Sequence, residues 1–292
     1  MKNNCISILV ASDNFYAILI AALLKSIDVN HQSEEHINFY IIDDGISPKF
    51  KQQLESIVDP TRITIKWIDG KHIIPEGVTI PSETSAFPLT AYMRVFAANA
   101  VDDDIEKLIY LDVDTLVQVD IAELWNIDLG KFDIAAVQDP GKTVACEWGG
   151  IPNYKDLGLS ADTKYFNSGV LILNPKKWRE ENIAAQVVDT LVKYREHVKL
   201  PDQYALNVIF VNKWLELDPK WNWFAFQEGL EPYIIHFLDI KPIFKSYHSQ
   251  ESFRVEFYRY LSMTPWKNYK PQSDYKRIAR KIFNKLKKTI KL

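Results

Sequence analysis

The chain has 292 residues, 47% hydrophobic and 25% charged, with 10 Gly, 14 Pro and 2 Cys. That composition excludes a disordered, collagen-like or disulfide-scaffolded protein, and two cysteines with no CxxC partner (Cys5, Cys146) suit a reducing compartment. The formal charge of -3 averages two unequal parts: residues 276–292 hold eight Lys and Arg and no acid, which leaves 27 basic against 38 acidic groups in the first 275 residues, a net of -11. Ile6–Val10 reads as a short strand ending at Ser12-Asp13. The apolar run Ala17–Leu24 is well short of the ~20 residues of a membrane span and lacks a cleavage pattern, so Tyr16–Ile27 reads as a buried helix and a cytosolic protein is the default. Ile37–Ile42 is strand-like and runs into Asp43-Asp44-Gly45, a turn signal; Pro48 stands near the start of a helix that continues to Val58. Ile63–Ile68 is a third strand, Pro88–Asn99 a helix and Lys107–Leu111 a fully apolar strand. Ile134–Val137 and Gly169–Leu173 follow as strands, and Asn182–Glu196 and Asp202–Val211 as helices. The alternation predicts an α/β fold with a mostly parallel sheet covered by helices, in one domain over residues 1–270.

Three of these strands end in carboxylates: Asp13, Asp43-Asp44 and Asp112. Open α/β sheets bind ligands beyond the carboxyl ends of their strands, although Asp is also an ordinary cap or turn residue, the reading preferred for Asp43 and Asp44. Asp112-Val113-Asp114 stands apart, because an apolar strand runs straight into two carboxylates two residues apart. If the segment stays extended, both point to one face, and two oxygen donors so placed suit Mg²⁺ or Mn²⁺ with phosphate oxygens as further ligands. Two enzyme classes use such a segment. In a haloacid-dehalogenase-like phosphatase Asp112 would be the nucleophile and Asp114 the acid/base; in a nucleotide-sugar glycosyltransferase the pair would hold a metal on the diphosphate. The phosphatase motif normally ends the first strand of its fold, whereas this one follows three β-α units, and no acidic pair follows an apolar strand in the second half of the chain. A non-catalytic nucleotide-sugar-binding relative is a third reading.

The remaining motifs favour the glycosyltransferase. Ala11-Ser-Asp-Asn-Phe-Tyr16, Ala91-Tyr-Met-Arg94, Tyr110-Leu-Asp-Val-Asp-Thr-Leu-Val117 and Tyr165-Phe-Asn-Ser-Gly-Val-Leu-Ile-Leu-Asn174 come first. Lys177-Trp178, Leu200-Pro-Asp-Gln203 with Asn207, Ile235-His-Phe237, Lys241-Pro242 and Thr264-Pro-Trp266 complete the series. In order and spacing they resemble glycosyltransferase family 8, the family of bacterial lipopolysaccharide galactosyl- and glucosyltransferases, from Ala11 to Trp266.

The resemblance implies a GT-A fold and a retaining transfer of galactose or glucose from a UDP-sugar to a saccharide acceptor, lipid-linked or of lipopolysaccharide type. It implies Asp112, Asp114 and His236 as ligands of Mn²⁺ or Mg²⁺. Asp13, Tyr16, Arg94, Val113, Asn167, Ser168 and Lys241 would contact the donor, with Gly169 beside them and Tyr16 stacked on uracil. Asp202 and Gln203 take the catalytic positions, and Asp139 lies near the acceptor. Two departures stand out. Phe15 replaces the Asn usual before Tyr16, and the usual His-Phe-x-Gly-x-x-Lys-Pro-Trp is shortened, with Asp239 in the glycine's place. Finally, Ile278, Ile282, Leu286 and Ile290 recur every four residues among the lysines and arginines of the tail. Residues 271–292 are therefore expected to form a basic amphipathic helix on an anionic membrane, placing the enzyme peripherally on the inner face, with no nucleic-acid partner.

Overall fold

The structure, a computed structural model, describes residues 5–75, 78, 80, 89–229, 231–275, 278 and 279. The first half lays down β1 (Cys5–Asp13), α1 (Ala17–Asn30), β2 (His36–Asp44), α2 (Pro48–Glu55) and β3 (Ile63–Asp69). A 3₁₀ helix (Leu89–Ala100) then leads into β4 (Leu108–Leu111), followed by β5 (Thr115–Val117) and α3 (Ile121–Trp125). The second half contains β6 (Ile134–Thr143), β7 (Lys164–Leu173), α4 (Pro175–Glu180), α5 (Ile183–Lys193), α6 (Pro201–Ile209) and β8 (Leu215–Glu216). A 3₁₀ turn (Pro219–Asn222), β9 (Trp223–Phe224), β10 (Ile234–His236) and α7 (Glu251–Leu261) complete it.

Seven strands form one sheet in the order β3-β2-β1-β4-β7-β6-β8. It is mostly parallel, as expected; β7 alone runs against both its neighbours. A sheet covered on both faces needs apolar residues at every position of its strands, with successive residues going to opposite sides. The core divides accordingly. Ile8, Val10, Phe39, Ile41, Ile109 and Ile172 pack on the side of α1 and α7. Leu9, Tyr40, Ile42, Tyr110 and Leu171 pack with the 3₁₀ helix and α4 to α6. α1 is buried almost all round, so its Ser26 needs partners inside: it donates to Leu23 O at 2.7 Å and accepts from Val117 N–H at 3.0 Å. A second, three-stranded sheet, β5-β10-β9, carries the chain beyond Asp112.

Several boundaries differ from the sequence reading. Asp13 and Asp44 are not beyond their strands; they face each other in the ladder as the last residues of β1 and β2. Asp43 accepts a hydrogen bond from Ile46 N–H, the turn role assigned to it. The helix expected over 88–99 is a 3₁₀ helix interrupted at Phe96 (φ -97°, ψ 15°), and nothing in that apolar stretch signals the tighter winding. β6 continues past Val137 to Thr143 with irregular pairing to β7, so Asp139 lies within a strand and not in a loop. The basic helix expected in the tail falls almost wholly on residues outside those described.

Candidate active site

β1 and β4 lie side by side where the strand order reverses, with β2 and β3 on one side and β7 and β6 on the other. Such a switch point opens a crevice at the strand ends. The chain does not stay extended from Asp112 to Asp114, contrary to the expectation from strand periodicity; it turns at Val113 and Asp114 and enters β5. Three hydrogen bonds shape that turn. Asp112 N–H donates to Gly169 O at 2.7 Å, Phe237 N–H donates to Asp114 O at 2.9 Å, and Thr115 Oγ1 donates to Asp112 O at 2.8 Å.

The antiparallel register of β10 on β5 sets His236 opposite Thr115, and this brings the imidazole to the two carboxylates. His236 Nε2 is 3.8 Å from Asp112 Oδ2 and 3.5 Å from Asp114 Oδ1. One ligand atom from each of the three residues falls within a 4.8 Å span. Room for this meeting exists because residue 169 is glycine: a Cβ there would lie 2.3 Å from His236 Cε1 and 2.9 Å from Asp112 Oδ2. Two carboxylates and an imidazole nitrogen are the donor chemistry of Mn²⁺ or Mg²⁺, so the residues fit such an ion.

Arg94 holds the other side of Asp112. Its Nη2 donates to Asp112 Oδ1 at 2.7 Å, its Nε pairs with Asp202 Oδ2 at 2.9 Å, and its Nη1 reaches the Ser168 backbone oxygen and, at 3.1 Å, Ser168 Oγ. The guanidinium lies over the Tyr110 ring, whose hydroxyl donates to Asp112 Oδ1 at 3.0 Å. All three guanidinium nitrogens are engaged within the protein, so Arg94, expected on the donor sugar, is also the clamp between Asp112 and Asp202. Burial opposes its charge, but Asp112 and Asp202 outweigh that and drive its pKa above the ordinary value. Burial likewise pushes the Asp112 carboxyl up, against Arg94 and with Asp114 adding to the rise. Asp114 goes the other way: burial would raise it, but Lys241 and His236 hold it well below the usual carboxylate range.

Lys241, expected on a diphosphate, pairs with Asp114 and donates to Phe237 O at 2.7 Å. Asp239, in the place of the usual glycine, has φ +61°, a left-handed backbone that Asp tolerates better than most residues. The loop therefore keeps a glycine-like bend although the glycine is gone, and Asp239 is exposed.

A second cluster adjoins the first. Pro201 starts α6, which puts Asp202 and Gln203 in its first turn beside β7. Ser168 Oγ donates to Asp202 Oδ2 at 2.9 Å. Gln203 Oε1 accepts from Asn167 Nδ2 and Ser168 N–H, each at 3.1 Å, while Gln203 Nε2 donates to Asp139 Oδ2 at 3.0 Å. Asn167 Nδ2 also donates to Asp139 Oδ2, at 3.1 Å. Asp139, Asn167, Ser168, Asp202 and Gln203 are thus one buried network. Asp13 ends β1 and Tyr16 precedes α1; Asp13 Oδ1 accepts from the N–H groups of Phe15 (2.9 Å) and Tyr16 (3.1 Å) in the turn between them, and α1 has no side-chain cap. Tyr110 and Asn222 were not singled out from the sequence. The sequence shows only a polar residue between Trp221 and Trp223; that Asn222 is fully buried, and so must find partners, is seen in the structure alone.

The model of Glycosyl transferase family 8 matches residues 7–260. General stress protein A of Bacillus subtilis is 28% identical over 91% of this chain and 96% of that protein. The lipopolysaccharide 1,3-galactosyltransferase of Salmonella typhimurium is 26% identical over 80% of this chain and 71% of that one. A putative glycosyltransferase of Haemophilus influenzae is 31% identical over 74% of this chain, which spans 62% of its length. Among solved structures, the galactosyltransferase LgtC, in complex with donor and acceptor sugar analogues, superposes with a TM-score of 0.73 at 22% identity over 90% of this chain and all of that one. That likeness is one of fold, and it agrees with the GT-A architecture expected. The match leaves no ground for the phosphatase reading of Asp112 and Asp114, and the chain belongs to glycosyl transferase family 8.

Proposed function

We propose that the protein is a metal-dependent, retaining hexosyltransferase that moves galactose or glucose from a UDP-sugar to a saccharide acceptor of a cell-surface glycan. The observation that carries this reading is the convergence of Asp112, Asp114 and His236 next to the Arg94–Asp202–Gln203 network. When bound there, Mn²⁺ or Mg²⁺ would supply positive charge for the departing diphosphate. Arg94 keeps Asp112 oriented and opposes the effect of burial on its charge, and Tyr110 and Thr115 fix the turn that carries it. Asn167, Ser168, Asp202 and Gln203 form a rigid polar wall suited to sugar hydroxyls, and Asp139 extends it toward the acceptor.

Gln203 is an uncharged amide whose oxygen already accepts two hydrogen bonds, so it is poorly suited to attack an anomeric carbon. A front-face route follows, in which the leaving diphosphate oxygen takes the acceptor hydroxyl's proton while the new bond forms on the side the diphosphate leaves. Residues 276–292 would bring this chemistry to a lipid-borne acceptor at an anionic membrane surface; no helix among the described residues is long and apolar enough to cross one. The test is a panel of UDP-sugars with Mn²⁺, scored for UDP release without acceptor. Slow hydrolysis of UDP-galactose or UDP-glucose, abolished by Asp114→Ala, is the expected result. Failure of every UDP-sugar both to bind and to hydrolyse would refute the reading.

A further inference from the structure

Asn222 closes the 3₁₀ turn before β9 and is 0% exposed. A buried amide must satisfy both its ends, and a backbone group decides which end is which. The N–H of Gly169, whose hydrogen position is not a matter of choice, donates to Asn167 Oδ1 at 2.9 Å. The Asn222 atom 2.9 Å from that same oxygen must therefore be the nitrogen. Its oxygen is then the atom 2.8 Å from His236 Nδ1, so that ring nitrogen carries the hydrogen. The neutral imidazole is left with its lone pair on Nε2, the nitrogen that faces Asp112 and Asp114. Without an acceptor at Nδ1, those two carboxylates would draw the hydrogen to Nε2, and that tautomer has no lone pair to offer there.

We propose that Asn222 is a positioning residue for a divalent cation, holding His236 in the ring orientation and tautomer that present Nε2 to the ion. The inference rests on the metal reading given above. Histidine ligands commonly donate their second N–H to an oxygen that fixes the tautomer. Here the oxygen belongs to an amide that is itself oriented by Asn167, which also donates to Asp139 and Gln203. The residues assigned to the sugar and the residue assigned to the metal are therefore links of one hydrogen-bonded line.

Two substitutions separate positioning from packing. Asn222→Leu removes both hydrogen bonds while keeping the branching and the number of heavy atoms, whereas Asn222→Asp keeps an acceptor for Nδ1–H and loses the donor to Asn167. Three quantities are read on the full chain: Mn²⁺ affinity by titration calorimetry, melting temperature, and the protonation of His236 Nδ1 in metal-free protein. The last is read by nitrogen NMR of labelled histidine above neutral pH, with His236→Gln identifying the signal. In the wild type Nδ1 is protonated. In Asn222→Leu it loses the proton and Mn²⁺ binds about 10–100-fold more weakly, the usual cost of losing such a partner. Asn222→Asp keeps near-wild-type affinity although its buried carboxylate lowers the melting temperature, an outcome that a packing role would not produce. The proposal is overturned if Asn222→Leu keeps the proton on Nδ1 and the wild-type affinity, or if Asn222→Asp loses as much affinity as Asn222→Leu. A wild type that binds no Mn²⁺ refutes the metal reading, and the NMR comparison then decides the role of Asn222 alone.

Discussion

Gly169→Ala adds one methyl group where the structure has no space for it. Gly169 does not have a left-handed backbone, so alanine introduces no strain of its own and the effect is steric. The new Cβ would stand 2.3 Å from His236 Cε1, 2.9 Å from His236 Nδ1 and 2.9 Å from Asp112 Oδ2. Carbon atoms rest at about 3.5–4.0 Å, so the imidazole must retreat by about 1 Å or more. It has little freedom to do so, because Nδ1 is held by Asn222 and the backbone of His236 is paired with Thr115 in the sheet. Overpacking of this kind costs about 1–3 kcal/mol of stability, and a displacement of about 1 Å at a reacting constellation costs about 10²-fold in rate. The assay pairs a melting curve with Mn²⁺ titration and UDP release. The expected variant melts a few degrees lower, binds Mn²⁺ at least tenfold more weakly and turns over about 10²-fold more slowly. A Gly169→Ala protein with wild-type metal affinity and turnover would show that the ring yields without cost, and the steric argument would be wrong.

Arg94→Lys keeps a positive charge but cannot span Asp112, Asp202 and Ser168 at once; kcat/KM should fall about 10²-fold with a stability loss of about 1–3 kcal/mol, and unchanged kinetics would contradict the clamp. Gln203→Glu places a carboxylate oxygen 3.0 Å from Asp139 Oδ2, so one of the two must take up a proton. Its folded-state pKa is then raised, and the variant should lose stability relative to wild type as pH rises; a pH-independent gap in melting temperature would exclude this. The same variant should trap no sugar, and Gln203→Ala should retain measurable turnover, whereas a covalent glycosyl adduct on residue 203 would argue against the front-face route. Asp120 is held below the usual carboxylate range: burial would raise it, but hydrogen bonds from the Ser33 hydroxyl, Ala122 N–H, His31 and Gln32 N–H prevail. A depressed pKa contributes stability above the unfolded value of about 3.9 and loses it as pH falls through the folded value. The melting-temperature gap between wild type and Asp120→Asn should therefore be widest near neutral pH and close on acidification below about pH 4; a gap that widens in acid would reverse the sign.

Much of the fold is legible because its strands are buried on both faces, and such runs as Phe39–Ile42 or Gly169–Leu173 are apolar without interruption. What could not be read is where a strand stops. The pairing of Asp13 with Asp44 at the strand ends, and of β6 beyond Val137, depends on what the neighbouring strand offers. The metal-site residues were legible as motifs, but their geometry was not. Strand periodicity predicted that Asp112 and Asp114 would share a face; they meet instead through a turn held by Gly169 and Phe237, residues 57 and 123 positions after Asp112 and Asp114. Arg94 was legible as a cation ahead of the site, yet its pairing with Asp202 requires α6 to start beside β7. Asn222 was hidden because nothing within its own neighbourhood names His236 as its partner.

The three metal-site residues do not belong to a single layer. Asp112 leaves the large sheet, whereas His236 belongs to the small one and Asp114 stands in the turn between them. The small sheet is joined to the large one by the turn after Asp112, whose N–H bonds to Gly169 O in β7, by the hydrogen bond from Asn222 to Asn167, and by the core that Ile234, Ile235 and Phe237 share with Ile8 and Val10. The seven-stranded sheet can retain its ladder if that junction opens, but the ligand set cannot stay together. A binding partner that bridges both layers therefore acts as a fastener as well as a reactant, because it favours the state in which the two stay joined.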